Sequence, residues 1–208
     1  MKYDIYAKVM WKLLKSDFTK ELSCFLSKAD AKAIMVKGKP EYRKIIERTS
    51  GIGGMKKNPM TMILINCSML IAVYKASKGR LSADQMGQVY VNALSGNAIV
   101  RKFSKKDCFN ADWQKKRNEI ALESQKRKFS NDWVSEFRPG KDINEYGINF
   151  YECGICKLCK QENCFELASQ MCKYDYVMAA AMGAELTRTK TIAGGDQLCD
   201  FFYRKKQV

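Results

Sequence analysis

Apolar residues recur at three- and four-residue intervals through the first 128 positions and alternate with polar ones in several later stretches. The spacing predicts helices over residues 3–14 and 19–35. Residues 37–40, Lys-Gly-Lys-Pro, read as a break. A short helix over 41–49 then runs into Gly51-Ile52-Gly53-Gly54. That cluster reads either as a turn after a helix stop or as a loop whose backbone approaches a ligand. Residues 60–74, MTMILINCSMLIAVY, form the most apolar run and follow Pro59, a residue suited to a first helical turn. They predict a buried core helix. Ser82, with Gln85 three residues on, marks another helix start. Met86, Val89, Tyr90 and Leu94 share one side of that helix, and Gly96 ends it. Residues 107–128 predict a third long helix, strongly charged.

Beyond that point the period changes. Residues 133–137 predict a strand, closed by Arg138-Pro139-Gly140. In residues 147–153, Ile148, Phe150 and Glu152 alternate with Asn149, Tyr151 and Cys153. Residues 162–182 return to helical spacing and stop at Gly183. A strand over 186–192, a turn over 193–196 and a return strand over 198–203 follow. The pattern predicts an α+β protein: a helical N-terminal half packed on an antiparallel sheet of about four strands in the C-terminal half. It reads as a single domain over 1–208, helical to about residue 128 and sheet-containing from 129, with no internal repeat.

Composition changes this picture in one respect. Hydrophobic residues are 46% and charged residues 28%, ordinary for a soluble chain, but the net charge is +15. A Lys-covered surface accounts for that charge, and so would an anionic partner. The basic clusters at 102–106, 115–117 and 126–128 are interleaved with Asp107, Asp112, Glu119 and Glu123. This reads as a solvated helix face rather than a nucleic-acid interface. Residues 60–74 are too short to span a bilayer, which takes about 20 apolar residues. There is no secretory pattern at the N-terminus. Nine cysteines in a chain of this kind point to reduced thiols or metal ligands and a cytoplasmic location.

The chain has no histidine, which removes Ser-His-Asp and Cys-His catalysis and every His-containing zinc site. A general base must be Asp, Glu, Lys, Tyr or a thiolate. Six cysteines fall between Asn149 and Arg204. Cys153, Cys156, Cys159 and Cys164 have gaps short enough to wrap a metal ion or an iron–sulfur cluster, or are small buried residues. Cys172 and Asp175 share a helix face at i and i+3. On the last strand Cys199 faces away from Asp200 and shares its side with Phe201 and Tyr203. Arg188 and Lys190, two apart on a strand, suit a small carboxylate or phosphate. A thiolate near such cations gains reactivity.

These residues resemble the L-2-amino-thiazoline-4-carboxylic acid hydrolase family. The pattern comprises Cys172-Lys-Tyr-Asp175, Arg188-Thr-Lys-Thr191, Gly194-Gly195-Asp196 and Cys199-Asp200-Phe201, with Cys153 at an upstream strand end. Ile52-Gly53-Gly54, Asn58 and Ala72-Val-Tyr-Lys75 extend it weakly toward residue 40. The resemblance implies ring opening of a small cyclic amidine bearing a carboxylate. It implies catalytic roles for Cys172, Asp175 and Cys199 and substrate contacts from Arg188, Lys190, Asp196 and Cys153. Water activated by Asp175, or a thiolate adding first, could open the ring. No cofactor is required on this reading. Cys156, Cys159 and Cys164 are extra to the pattern and leave a second reading, a metal- or small-molecule-binding sensor, which a more distant likeness to vinyl-reductase-type ligand-binding domains also suggests.

Overall fold

A computed structural model describes residues 1–104 and 107–207; Lys105 and Lys106, within the basic cluster at 102–106, lie outside the described residues. Helix α1 (Ile5–Leu22) begins where the Asp4 carboxylate accepts the N–H groups of Tyr6 and Ala7. It does not stop at residue 14. Ala7, Trp11, Leu14, Phe18 and Leu22 continue one buried stripe, so the charged segment between them merely faces solvent.

Helix α2 (Lys28–Arg48) likewise runs through the expected break at Pro40. Pro40 lacks the N–H for an i−4 bond, but it sits on the exposed side, where water can serve the freed carbonyl. Tyr42, Ile45 and Ile46 hold the far half of α2 in the core. Tyr42 is fully buried; its hydroxyl donates to the Ala7 carbonyl at 3.1 Å and its ring lies 5.1 Å from Trp11.

Helix α3 (Thr61–Ser77) is the apolar run of the sequence, buried from Cys67 through Val73 on every side. Helix α4 (Ala83–Gly96) opens on the expected reciprocal cap between Ser82 and Gln85. Two further helices precede the sheet: α5 (Ala98–Ser104) and α6 (Ala111–Ser124). The helix expected over 107–128 is therefore shorter at both ends. The Asn110 side chain caps its start by accepting from the Trp113 N–H, and Arg127 has turned to a left-handed φ of 49°.

Strands β1 (Val134–Pro139), β2 (Glu145–Glu152), β3 (Ala184–Thr187) and β4 (Cys199–Lys205) form one antiparallel sheet in the order β1-β2-β4-β3. Register places Ser135 beside Phe150 and Phe150 beside Cys199; Phe137, Ile148 and Phe201 form the next row. These side chains face the helices. Tyr146 is fully buried in a second cluster with Phe109, Trp113, Phe137 and Tyr203. Between β2 and β3 lie α7 (Gly154–Gln161), α8 (Glu166–Cys172) and α9 (Tyr174–Ala181), where the sequence pattern suggested one helix from 162 to 182. Among the described residues no helix is long and apolar enough to cross a membrane.

Candidate active site

The reactive side chains meet where α8, α9 and the start of β4 converge over the sheet. Cys172 ends α8 and Asp175 lies in the first turn of α9. The helical run breaks at Lys173, and the carbonyl of Cys172 instead accepts a hydrogen bond from Arg188 Nη2 at 3.2 Å. Arg188 Nη1 donates to Asp175 Oδ2 at 2.7 Å. The guanidinium carbon lies 4.7 Å from the Phe201 ring centre and 5.2 Å from that of Tyr176, so two aromatic faces flank the cation. The Arg188 side chain is only 5% exposed. Cys199 opens β4, and its sulfur accepts the Ile192 N–H at 3.2 Å.

Electrostatics separate the acid from the thiols. Asp175 is ringed by protein, yet 36% of its side chain reaches solvent. Desolvation lifts its pKa to about 6 against the opposing pull of Arg188. It is thus ionised at neutral pH but basic enough to take a proton. Burial pushes the Cys172 thiol up to about 12, reinforced by Asp175 and Cys153 and opposed by Arg188. Burial likewise raises Cys199 to about 11, with the Ile192 amide opposing. Both thiols rest protonated at neutral pH. Cys153 completes the group; it interacts electrostatically with Cys172 and Cys199.

Lys190 and Asp196 lie in the segment that joins β3 to β4. The strand predicted over 186–192 ends at Thr187. Asp200 stops it by accepting the N–H groups of Thr189 and Lys190, at 2.9 and 2.6 Å, together with the Thr189 hydroxyl. The two-residue alternation that would set Lys190 beside Arg188 therefore no longer applies, and Lys190 is exposed. Asp196 is also exposed; it accepts the Thr191 N–H at 2.7 Å and closes the turn in which Gly195 takes a φ of 101°.

The four-cysteine run divides into neighbours. Cys153 precedes α7 with its thiol against that of Cys156, while Cys159 meets Cys164. Cys156 and Cys159 lie on α7, Cys153 just before it and Cys164 just after it. Among the described residues no group of three or more His, Cys, Asp or Glu side chains is placed to hold a metal ion. Cys67, on α3, was not singled out by the sequence. It is fully buried and interacts with Cys153, Cys172 and Asp175. A cysteine inside an unbroken apolar run carries no local signal of such a position.

A cavity of about 300 Å³ lies beside the site, between α6, the glycine cluster and strands β1 and β2. Ile52 and Asn58 line it, and a Cβ added at Gly53 would lie 3.4 Å from the Phe129 ring. Phe150 lines the cavity, pairs across the sheet with Cys199 and packs edge-on against Phe201 at 5.2 Å.

Neither a curated protein nor a solved structure matches the chain. A family model does, over residues 62–203 of 208, and leaves Ile52-Gly53-Gly54 and Asn58 outside the matched span. The chain belongs to the L-2-amino-thiazoline-4-carboxylic acid hydrolase family.

Proposed function

We propose that this member of the family hydrolyses a small cyclic amidine such as L-2-amino-thiazoline-4-carboxylate, with Asp175 as the general base. The observation that carries the reading is the Asp175–Arg188 pair: a carboxylate with pKa about 6, partly open to solvent, held by a buried guanidinium. Asp175 takes a proton from water as its oxygen bonds to the ring carbon between sulfur and nitrogen. The carbon–sulfur bond then breaks, and the departing sulfur recovers the proton from Asp175. The product is an N-carbamoyl cysteine, the sum of substrate and one water.

The high pKa values of Cys172 and Cys199 favour this direct route over addition of a resting thiolate. Arg188 uses two of its five N–H donors on Asp175 and Cys172, and the others suit the substrate carboxylate. The test is ring opening of L-2-amino-thiazoline-4-carboxylate, followed by mass spectrometry of the product. Asp175→Asn should lower kcat by about 10²–10⁴-fold, the span associated with a positioned base. A folded protein that turns over no cyclic amidine, or an Asp175→Asn variant with undiminished kcat, would overturn the proposal.

A further inference from the structure

The 300 Å³ cavity is lined by both apolar and charged side chains. Its floor is apolar: Ile52, Met60, Phe129, Trp133, Ile148 and Phe150 contribute to it. Its volume lies at the lower end of the range that small-molecule pockets span, about 300–1,000 Å³. Two acids and three cations stand among the lining residues. Both acids are already engaged. Glu123 bonds Lys126 and Lys128, which also occupies one of the three cations. Asp132 accepts from the Asn58 side chain at 2.6 Å and from the Trp133 N–H at 2.8 Å. Lys57 and Arg117 remain without an ion pair among the described residues; the Arg117 guanidinium rests 5.3 Å from the Trp113 ring centre.

We propose that this cavity is a second ligand site, for a small organic anion with an aromatic or aliphatic body. The body replaces water against the apolar floor, and Lys57 and Arg117 meet the single negative charge at the rim. Removal of apolar area from water supplies the attraction, while the cations select charge. Neither Asp175 nor Arg188 lines the cavity; Phe150, which does, packs on Phe201, the ring that lies under Arg188.

Calorimetric titration tests the proposal with 1-naphthoate and with its uncharged counterpart 1-naphthalenemethanol. The expected result is one-to-one binding of the naphthoate, at least tenfold tighter than of the alcohol. Ile120 is half-buried on α6 and faces the cavity, so Ile120→Trp should fill the space and abolish binding of both probes. The double variant Lys57→Gln/Arg117→Gln should weaken the naphthoate to the level of the alcohol and leave the alcohol unchanged. Far-ultraviolet circular dichroism and melting curves check that each variant is folded. Should Ile120→Trp fail to fold, the charge-selective loss in the double variant decides alone. Absence of one-to-one binding, equal affinity for the two probes, binding that survives in folded Ile120→Trp, or a double variant that keeps the tenfold preference would each overturn the proposal. Binding is read without turnover, so this result is independent of the hydrolase assay.

Discussion

Asp175 and Arg188 set the pH behaviour. The Asp175 pKa is raised from an ordinary 3.8 to about 6, burial outweighing Arg188. A base works only when ionised, so kcat/KM should fall as pH drops through about 6 and level off above it. Arg188 pulls that pKa down; Arg188→Met should therefore move the acid limb to higher pH, as a pH–rate profile would show. The raised pKa also has a stability sign: its contribution is full below 3.8 and is lost as pH rises through about 6. Arg188→Met should further lower stability by about 2 kcal/mol in denaturant titration, since the Cys172 carbonyl and a carboxylate lose a charged donor. Among the thiols, Cys24 is exposed while the other eight are buried. Iodoacetamide near pH 7.5 should label Cys24 first, with Cys172 and Cys199 far slower, as peptide mapping would record. At this scale the sequence singles out Cys153, Cys172, Asp175, Arg188 and Cys199 because each stands in a spaced pattern, and the structure sets Arg188 on the Asp175 carboxylate and the Cys172 carbonyl. Strand alternation sets Lys190 beside Arg188 but cannot see that Asp200 captures the backbone at residues 189 and 190; Asp196 enters through the Gly194-Gly195-Asp196 turn, which its own carboxylate closes. Cys67 joins the group only through helix packing.

Elements were legible where their own side chains decide them. The Ser82–Gln85 cap and the apolar α3 are local statements, and both are found. Boundaries failed where a distant group intervenes. Gly38 and Pro40 read as a break, yet the buried residues on either side carry α2 through. The helix over 162–182 splits because Arg188, from beyond β3, takes the carbonyl that would continue it. Two glycines should respond oppositely to an added methyl. At Gly38 a Cβ would sit 3.5 Å from Trp11 and 3.6 Å from the Ala72 carbonyl, ordinary contact. Gly38→Ala should then stabilise by about 0.5–1 kcal/mol through helix propensity. At Gly154 a Cβ would fall 2.7 Å from the Asn131 carbonyl and 2.7 Å from the Trp133 ring. Gly154→Ala should destabilise by about 1–3 kcal/mol through overpacking. Urea titration of both variants checks the pair.

Over the whole molecule, α3 lies deepest. It packs against α2, α1, α4 and α7, and seven consecutive residues from Cys67 to Val73 are buried. Its amides should be among the slowest to exchange in hydrogen–deuterium measurements, while the two-sided polar α6, with only Ala121 buried, should exchange early. The α+β class was readable from the change of period near residue 128, since a two-residue repeat and a 3.6-residue repeat cannot share one backbone geometry. The strand order was not readable, because no residue in β4 announces which neighbours it will have. That order has a consequence during synthesis. β4 lies between β2 and β3, so β3 leaves the ribosome with no strand to pair with, and Cys199 reaches the site after Cys172, Asp175 and Arg188. At about 5–20 residues per second, translation from Ala184 to Lys205 takes roughly one to four seconds. For that interval the nascent chain carries a helical half already able to pack beside an open sheet edge at β2, the stage at which that edge is most open to pairing with another chain.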